Sequence, residues 1–214
     1  MALSPAVRIN WVKITRENCA GRLKSKDPLP SHVGVIAIVN AHRFAPAAPD
    51  EAYVYGACTP GWHSAAGRDA AIDDWIEFVR DADIERVCCL LTGSQLDECG
   101  GVLDRYRDAF GASNVRHVPV VDHHLVPEST LTGEILPFLA ESRAAEEPVV
   151  VHCLAGLGRT GQVLAAWLVY NRDYGPERAI ETVRAQGREP LEAVHAGNAT
   201  ESELYERLGA VARL

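Results

Sequence analysis

Hydrophobic positions along the chain alternate between two spacings, and the changes of spacing mark out the elements. Ile72, Trp75, Ile76 and Val79 fall at i, i+3, i+4 and i+7, one face of a helix. Leu96, Cys99, Leu103, Tyr106 and Phe110 form a second helical stripe, closed by Gly111. Leu131, Ile135, Phe138 and Leu139 predict a third helix, which Pro137 kinks or restarts. Val163, Leu164, Trp167, Leu168 and Tyr170 predict a strongly apolar fourth. Pro176 and Gly187 bracket another helix as first-turn proline and terminal glycine, and Thr200 with Glu203 makes a capping box for the last. Short apolar runs over residues 87–91 and 148–152 have the uninterrupted character of strands buried on both faces. Residues 53–57 and 115–121 read as further strands, the second delivering Asp122 at its C-terminal end. Alternation of this kind predicts an α/β fold with a central, mostly parallel sheet flanked by helices.

Residues 1–50 depart from that rhythm. Strands are expected over residues 8–15 and 33–39, with an exposed loop over 21–31 carrying Lys24, Lys26, Pro28 and Pro30. The division that results is an N-terminal extension, 1–50, packed on a main domain, 51–214. No internal repeat or low-complexity tract interrupts either part.

A length of 214 residues, 47% apolar and 23% charged, suits a soluble globular chain with a sizeable core. The net charge of −8 argues against nucleic acid as a partner but permits a small anion in a local electropositive pocket. Eighteen Arg against three Lys fits codon bias and says nothing of mechanism. No stretch has the length of a membrane span, and no leader pattern is visible. Six cysteines without C-x-x-C spacing read as reduced thiols, which points to the cytoplasm. Neighbouring residues on a strand face opposite ways, so neither Cys88 and Cys89 nor His123 and His124 make a natural metal site. No metal and no cofactor is expected.

The chemistry concentrates in residues 149–161, VVVHCLAGLGRTG. A buried strand ends there, a loop punctuated by Gly156 and Gly158 follows, and a helix begins near Arg159. Backbone N–H groups of such a loop turn inward and, with the positive helix end, form an anion nest from Leu154, Ala155, Gly156, Leu157, Gly158 and Arg159. Cys153 at the start of the nest ionises readily in that field and becomes a nucleophile at neutral pH. Arg159 can fold back and grip two phosphate oxygens through its planar fork. An isolated cysteine after a strand is most often core, as Cys88 and Cys89 are read to be.

HCLAGLGRTG fits the pattern H-C-x-x-G-x-x-R-[ST] at every fixed position, and through it the chain resembles the protein tyrosine phosphatase superfamily, in particular the small dual-specificity enzymes. The resemblance spans about residues 52–190. It implies a hydrolase in which Cys153 forms a phosphocysteine intermediate without a metal and Arg159 stabilises the transferring phosphoryl group. It further implies that Thr160 hydrogen-bonds the sulfur and that His152 supports the loop. The general acid it calls for lies about thirty residues upstream of the cysteine. Asp122, 31 residues before Cys153, sits in a segment like the D-x-x-x-P loop of those enzymes, with Pro127 one position further along. A turn or cap residue is the other reading of Asp122, and Glu128, His123 and His124 are the alternative acids. Residues 55–62 resemble the G-x-x-x-P-G turn of the same enzymes, which puts Trp62 or His63 near the pocket. Arg184 and Arg188 read either as a second phosphate-contacting patch or as helix-end cations.

The expected partner is a phosphorylated protein or a small phosphate ester: phosphotyrosine, and with a shallow pocket phosphoserine and phosphothreonine. A phosphoprotein-binding pseudophosphatase and a sulfur-transfer enzyme are the competing classes. The arginine and threonine six and seven residues after Cys153 favour phosphate.

Overall fold

The computed structural model describes residues 42–62 and 68–212. The strands expected over 8–15 and 33–39, the loop over 21–31, and His63 lie outside them. Five strands form one sheet in the order β1-β2-β5-β3-β4: Ala45–Pro46, Val54–Ala57, Val149–His152, Arg86–Cys89 and Val115–His117. β1 is an antiparallel edge, and every other pairing is parallel. The helices are α1 Arg68–Asp81, α2 Gly93–Glu98, α3 Val102–Phe110, α4 Leu136–Ala145, α5 Gly158–Arg172, α6 Pro176–Ala185, α7 Glu192–His195 and α8 Glu201–Val211.

β2, β3 and β5 are buried at every position, which is why their sequences lack polar alternation. Side chains still alternate between the two faces. Val149 and Val151 join the core under α4, α5, α6 and α8, whereas Val150 faces Ile72, Trp75 and Val79 of α1. α5 is buried along most of its length, as its apolar sequence predicts, although Tyr170 stands 37% exposed. Residues 44–48 belong to the sheet region, with Phe44, Ala47 and Ala48 buried and β1 paired to β2. Among the described residues, no helix is long and apolar enough to cross a membrane.

Three elements differ from the pattern-based expectation. The single stripe over Leu96–Phe110 is two helices, because Gly100 and Gly101 take φ of 55° and 76° and break the ladder between α2 and α3. The strand expected over 115–121 ends at His117, since Pro119 has no N–H to continue the pairing. Val118 and Val120 nonetheless donate to Cys89 O and Leu90 O at 2.9 and 3.2 Å, so the chain keeps beside β3 until it reaches Asp122. The third helix begins with one turn, Glu128–Thr130, and a π-helical stretch, Leu131–Ile135. Pro137 cannot donate to the preceding turn, and the ladder widens just ahead of it.

The order of strands decides where a ligand goes. β5 lies between β2 and β3, and the carboxyl ends of all four parallel strands open on one edge of the sheet. In open α/β sheets that edge is where ligands bind. Thr59 follows β2, Gln95 follows β3, Asp122 follows β4 and Cys153 follows β5.

Candidate phosphate-binding active site

Cys153 is 2% exposed and is the first residue beyond β5. The loop from Cys153 to Leu157 is shaped by what its carbonyls do. Cys153 O accepts from His152 Nδ1 at 3.2 Å. Leu154 O accepts from Thr59 N at 3.0 Å, and Ala155 O from Arg43 Nη1 at 2.9 Å. Gly156 O accepts from Arg188 Nη1 at 2.6 Å, and Leu157 O from Gly161 N at 2.8 Å. Five consecutive carbonyls are thus engaged from outside the loop. The amides of Leu154, Ala155, Gly156 and Leu157 have no acceptor among the described residues. Carbonyls held out and amides left over are the two halves of an anion nest. Gly156 is needed for this shape: its φ is 72°, and a Cβ there would overlap Ala57 O and lie 2.7 Å from Cys58 N.

Arg159 opens α5 with its guanidinium wholly buried. Nη1 donates to Val120 O and Gln95 Oε1, both at 2.9 Å, with Leu90 O further off at 3.4 Å. Nε and Nη2 make no hydrogen bond, although Nη2 lies 2.8 Å from Asp122 Oδ1 in an ion contact not aligned as a hydrogen bond. Nε and Nη2 are the parallel edge of the guanidinium, the one that meets two oxygens of a phosphate at once. Anchoring Nη1 on main-chain carbonyls leaves that edge for an anion.

Asp122 is a third exposed and engaged through both oxygens. Oδ2 accepts from Gln95 Nε2 at 3.0 Å, while Oδ1 takes the Arg159 contact and His123 N at 3.1 Å. His123 turns through φ 54°, a left-handed step within the longer spacing to Pro127. The loop is tied down by Gln162, whose Oε1 accepts from Val126 N at 2.8 Å, by Arg207 on Val126 O at 2.7 Å and by Asn198 on His123 O at 2.9 Å. His123 is exposed, and the Glu128 side chain faces a surface groove near α8, apart from Arg159. His124 turns back to Asp122 O at 2.7 Å.

His152 is buried between the edges of Trp75 and Tyr106, at 5.4 and 5.5 Å. Burial, reinforced by the nearby Arg159 charge, lowers its pKa to about 4, so the ring is neutral at neutral pH. Its Nδ1 must carry the proton, because it faces a carbonyl. The support it gives the loop is a hydrogen bond rather than a charge. The hydrogen bond expected between Thr160 and Cys153 Sγ is not formed: Thr160 Oγ1 is buried without a partner. Its methyl lies against Gly56, where a Cβ would come within 2.9 Å of it. Burial pushes Cys58 and Cys89 up to about 11 and 12, and Cys88 higher still.

Of the arginines expected at the helix end, Arg184 is a surface cation 3.6 Å from Glu189. Arg188 fits neither reading. It is buried, and its Nη2 donates to Gly56 O at 2.7 Å and to Arg43 O, so it braces the outer wall of the loop. Its pKa is lowered to about 10, chiefly by burial. Glu192 closes one side of the site: a side chain at Gly158 would overlap its carboxylate, which lies 4.0 Å from His123 Nδ1. Gln95, Gln162, Arg43 and Glu192 are the site residues that the sequence reading did not single out. Gln95 alone had a visible signal, the Thr92-x-x-Gln95 capping box that starts α2.

A cysteine at the end of a central parallel strand, followed by a loop of unpaired amides and a helix that opens on a buried arginine, belongs here to an α/β domain. The family model described as polymorphic toxin system, DSP-PTPase phosphatase, matches residues 62–173, just over half of the chain, and the chain belongs to that family. Dual specificity protein phosphatase OPG106 of monkeypox virus is 32% identical over 75 residues, covering 35% of this chain and 44% of that protein. Mouse dual specificity protein phosphatase 22 is 37% identical over 71 residues, covering 32% and 37%. The chain thus spans less than half the length of these curated relatives. The crystal structure of Tk-PTP in its active form superposes with a TM-score of 0.56 at 26% identity, over 73% of this chain and 94% of that one. Kinase associated phosphatase, with its catalytic cysteine replaced by serine, shares the fold at a TM-score of 0.59 and 22% identity, over 75% and 88%.

Proposed function

We propose that the chain is a phosphate monoester hydrolase that acts on phosphotyrosine, and on phosphoserine and phosphothreonine where the pocket admits them, through a phosphocysteine intermediate. Cys153 thiolate attacks phosphorus as the ester P–O bond breaks, and Asp122 gives its proton to the leaving oxygen. Water then attacks the phosphocysteine, Asp122 takes a proton from it, and the S–P bond breaks to return the thiolate. Thr160, its hydroxyl uncommitted, is the donor to the departing sulfur. Arg159 and the amides of residues 154–158 hold the three equatorial oxygens throughout. Side chains and main chain supply every role, so turnover without added metal is expected.

The single observation that carries this reading is the outward engagement of all five loop carbonyls beside the Nε and Nη2 edge of Arg159. Dual specificity phosphatases among the relatives support it. Among the described residues, Cys58, Cys88, Cys89, Cys99 and Cys153 form no disulfide, which supports a reducing compartment.

The test is hydrolysis of p-nitrophenyl phosphate by the full chain, with vanadate as inhibitor. Cys153→Ser is expected to abolish turnover while retaining oxyanion binding. Asp122→Asn is expected to slow alkyl phosphates by on the order of a hundredfold or more and p-nitrophenyl phosphate far less, because only poor leaving groups need the proton. Turnover that survives Cys153→Ser would overturn the reading, and vanadate binding without any turnover would leave a phosphoprotein-binding module.

A further inference from the structure

We infer that Gln95 is a positioning residue that couples the acid to the phosphate clamp: one side-chain amide holds the Asp122 carboxyl and the Arg159 guanidinium at a fixed separation and orientation. This rests on the proposed phosphatase reading and extends it.

The assignment of the amide is forced by its neighbours. Arg159 Nη1 at 2.9 Å and Thr92 N at 3.2 Å are both donors, so the atom they share must be the carbonyl oxygen. The remaining atom is then the NH2 group, and it donates to Asp122 Oδ2 at 3.0 Å. Asp122 Oδ2 stays an acceptor as long as that bond lasts. The bond holds the carboxyl with Oδ1 2.8 Å from Arg159 Nη2 and 3.1 Å from His123 N, next to the guanidinium edge proposed to take the phosphate. The same amide keeps Nη1 turned to the sheet edge, which leaves Nε and Nη2 without a hydrogen-bond partner. Gln95 is rigid enough for the task, because the main-chain Thr92 N holds its Oε1 at the first turn of α2.

The two halves of the amide can be separated. Gln95→Glu keeps an acceptor for Arg159 Nη1 and Thr92 N but has no donor for Asp122 and sets a like charge against it. Gln95→Met removes both bonds at similar length. Thr92→Ala removes the hydroxyl half of the capping box and leaves the Gln95 side chain in place, so it controls for simple loss of α2.

The experiment measures kcat/KM for aryl phosphates of graded leaving-group acidity and tungstate affinity by calorimetry, with thermal melts to confirm folding. Gln95→Glu, which adds a negative charge beside Arg159, is expected to weaken tungstate binding and, beyond that loss, to fall about tenfold or more on phenyl phosphate and less than about threefold on p-nitrophenyl phosphate. Gln95→Met should weaken tungstate binding as well, and Thr92→Ala should change neither slope nor affinity. A uniform loss on all esters in Gln95→Glu, or wild-type tungstate affinity in Gln95→Met, overturns the inference. Should the wild type show no Cys153-dependent turnover, the phosphatase reading fails on its own. The tungstate affinity of the uncharged Gln95→Met variant then decides the clamp half of the proposal.

Discussion

Arg159 shows how a single residue can be both structural and chemical. One nitrogen is spent on carbonyls that follow β3 and flank the Asp122 loop, and the other two are buried without a hydrogen bond, Nη2 lying 2.8 Å from Asp122 Oδ1. A lysine at this position would present a point charge and could not satisfy the carbonyls and grip two oxygens at once. Arg159→Lys is therefore expected to reduce kcat/KM on p-nitrophenyl phosphate by on the order of a thousandfold, the scale of losing an oriented oxyanion donor. A loss below tenfold in steady-state kinetics would mean that the fork does not meet the substrate. Asp122 sits at the opposite extreme of commitment, a third exposed and held by an amide and an ion contact that an arriving dianion competes with.

At the scale of elements, the strand-loop-helix from Val149 to Arg172 was readable from sequence because every part of its signal is local. The uninterrupted valines, the cysteine, the spaced glycines and the apolar helix lie within two dozen residues. The capping box of α8 was equally local, and both of its bonds are present between Thr200 and Glu203. Thr200→Ala is expected to cost about 1 kcal/mol, read as a lower urea midpoint at unchanged slope. Gly100 and Gly101 were visible too, but an apolar stripe that resumes in phase on the far side conceals the break. What sequence could not give is contact across distance. Arg43 reaches Ala155 over 112 residues and Arg188 reaches Gly56 over 132, and no periodicity records such pairs. Gln95 could be read as a cap, yet nothing local places its amide between Asp122 and Arg159.

For the molecule as a whole, the buried neutral imidazole of His152 links the loop to acid stability. Its folded-state pKa, about 4, lies below the 6.5 of an unfolded histidine, so the unfolded chain binds more protons between those values. Stability contributed by keeping the ring neutral is full above pH 6.5 and declines as pH falls towards 4. The loss is on the order of 3 kcal/mol at roughly 1.4 kcal/mol per pH unit of separation. His152→Asn is expected to flatten that part of the curve in urea titrations run from pH 7 to 4, and an unchanged curve would show the ring to be reached by water.

Because the loop is assembled from main-chain groups braced by Arg43, Arg188, Thr59 and His152, the proposed phosphate recognition rests on backbone shape and not on the identities of Leu154, Ala155 and Leu157. Those three side chains are half-buried, whereas Gly156 is locked by its geometry. Under the proposed function, substitutions at Leu154, Ala155 or Leu157 are therefore expected to change substrate preference more than turnover, whereas Gly156→Ala disrupts the loop itself.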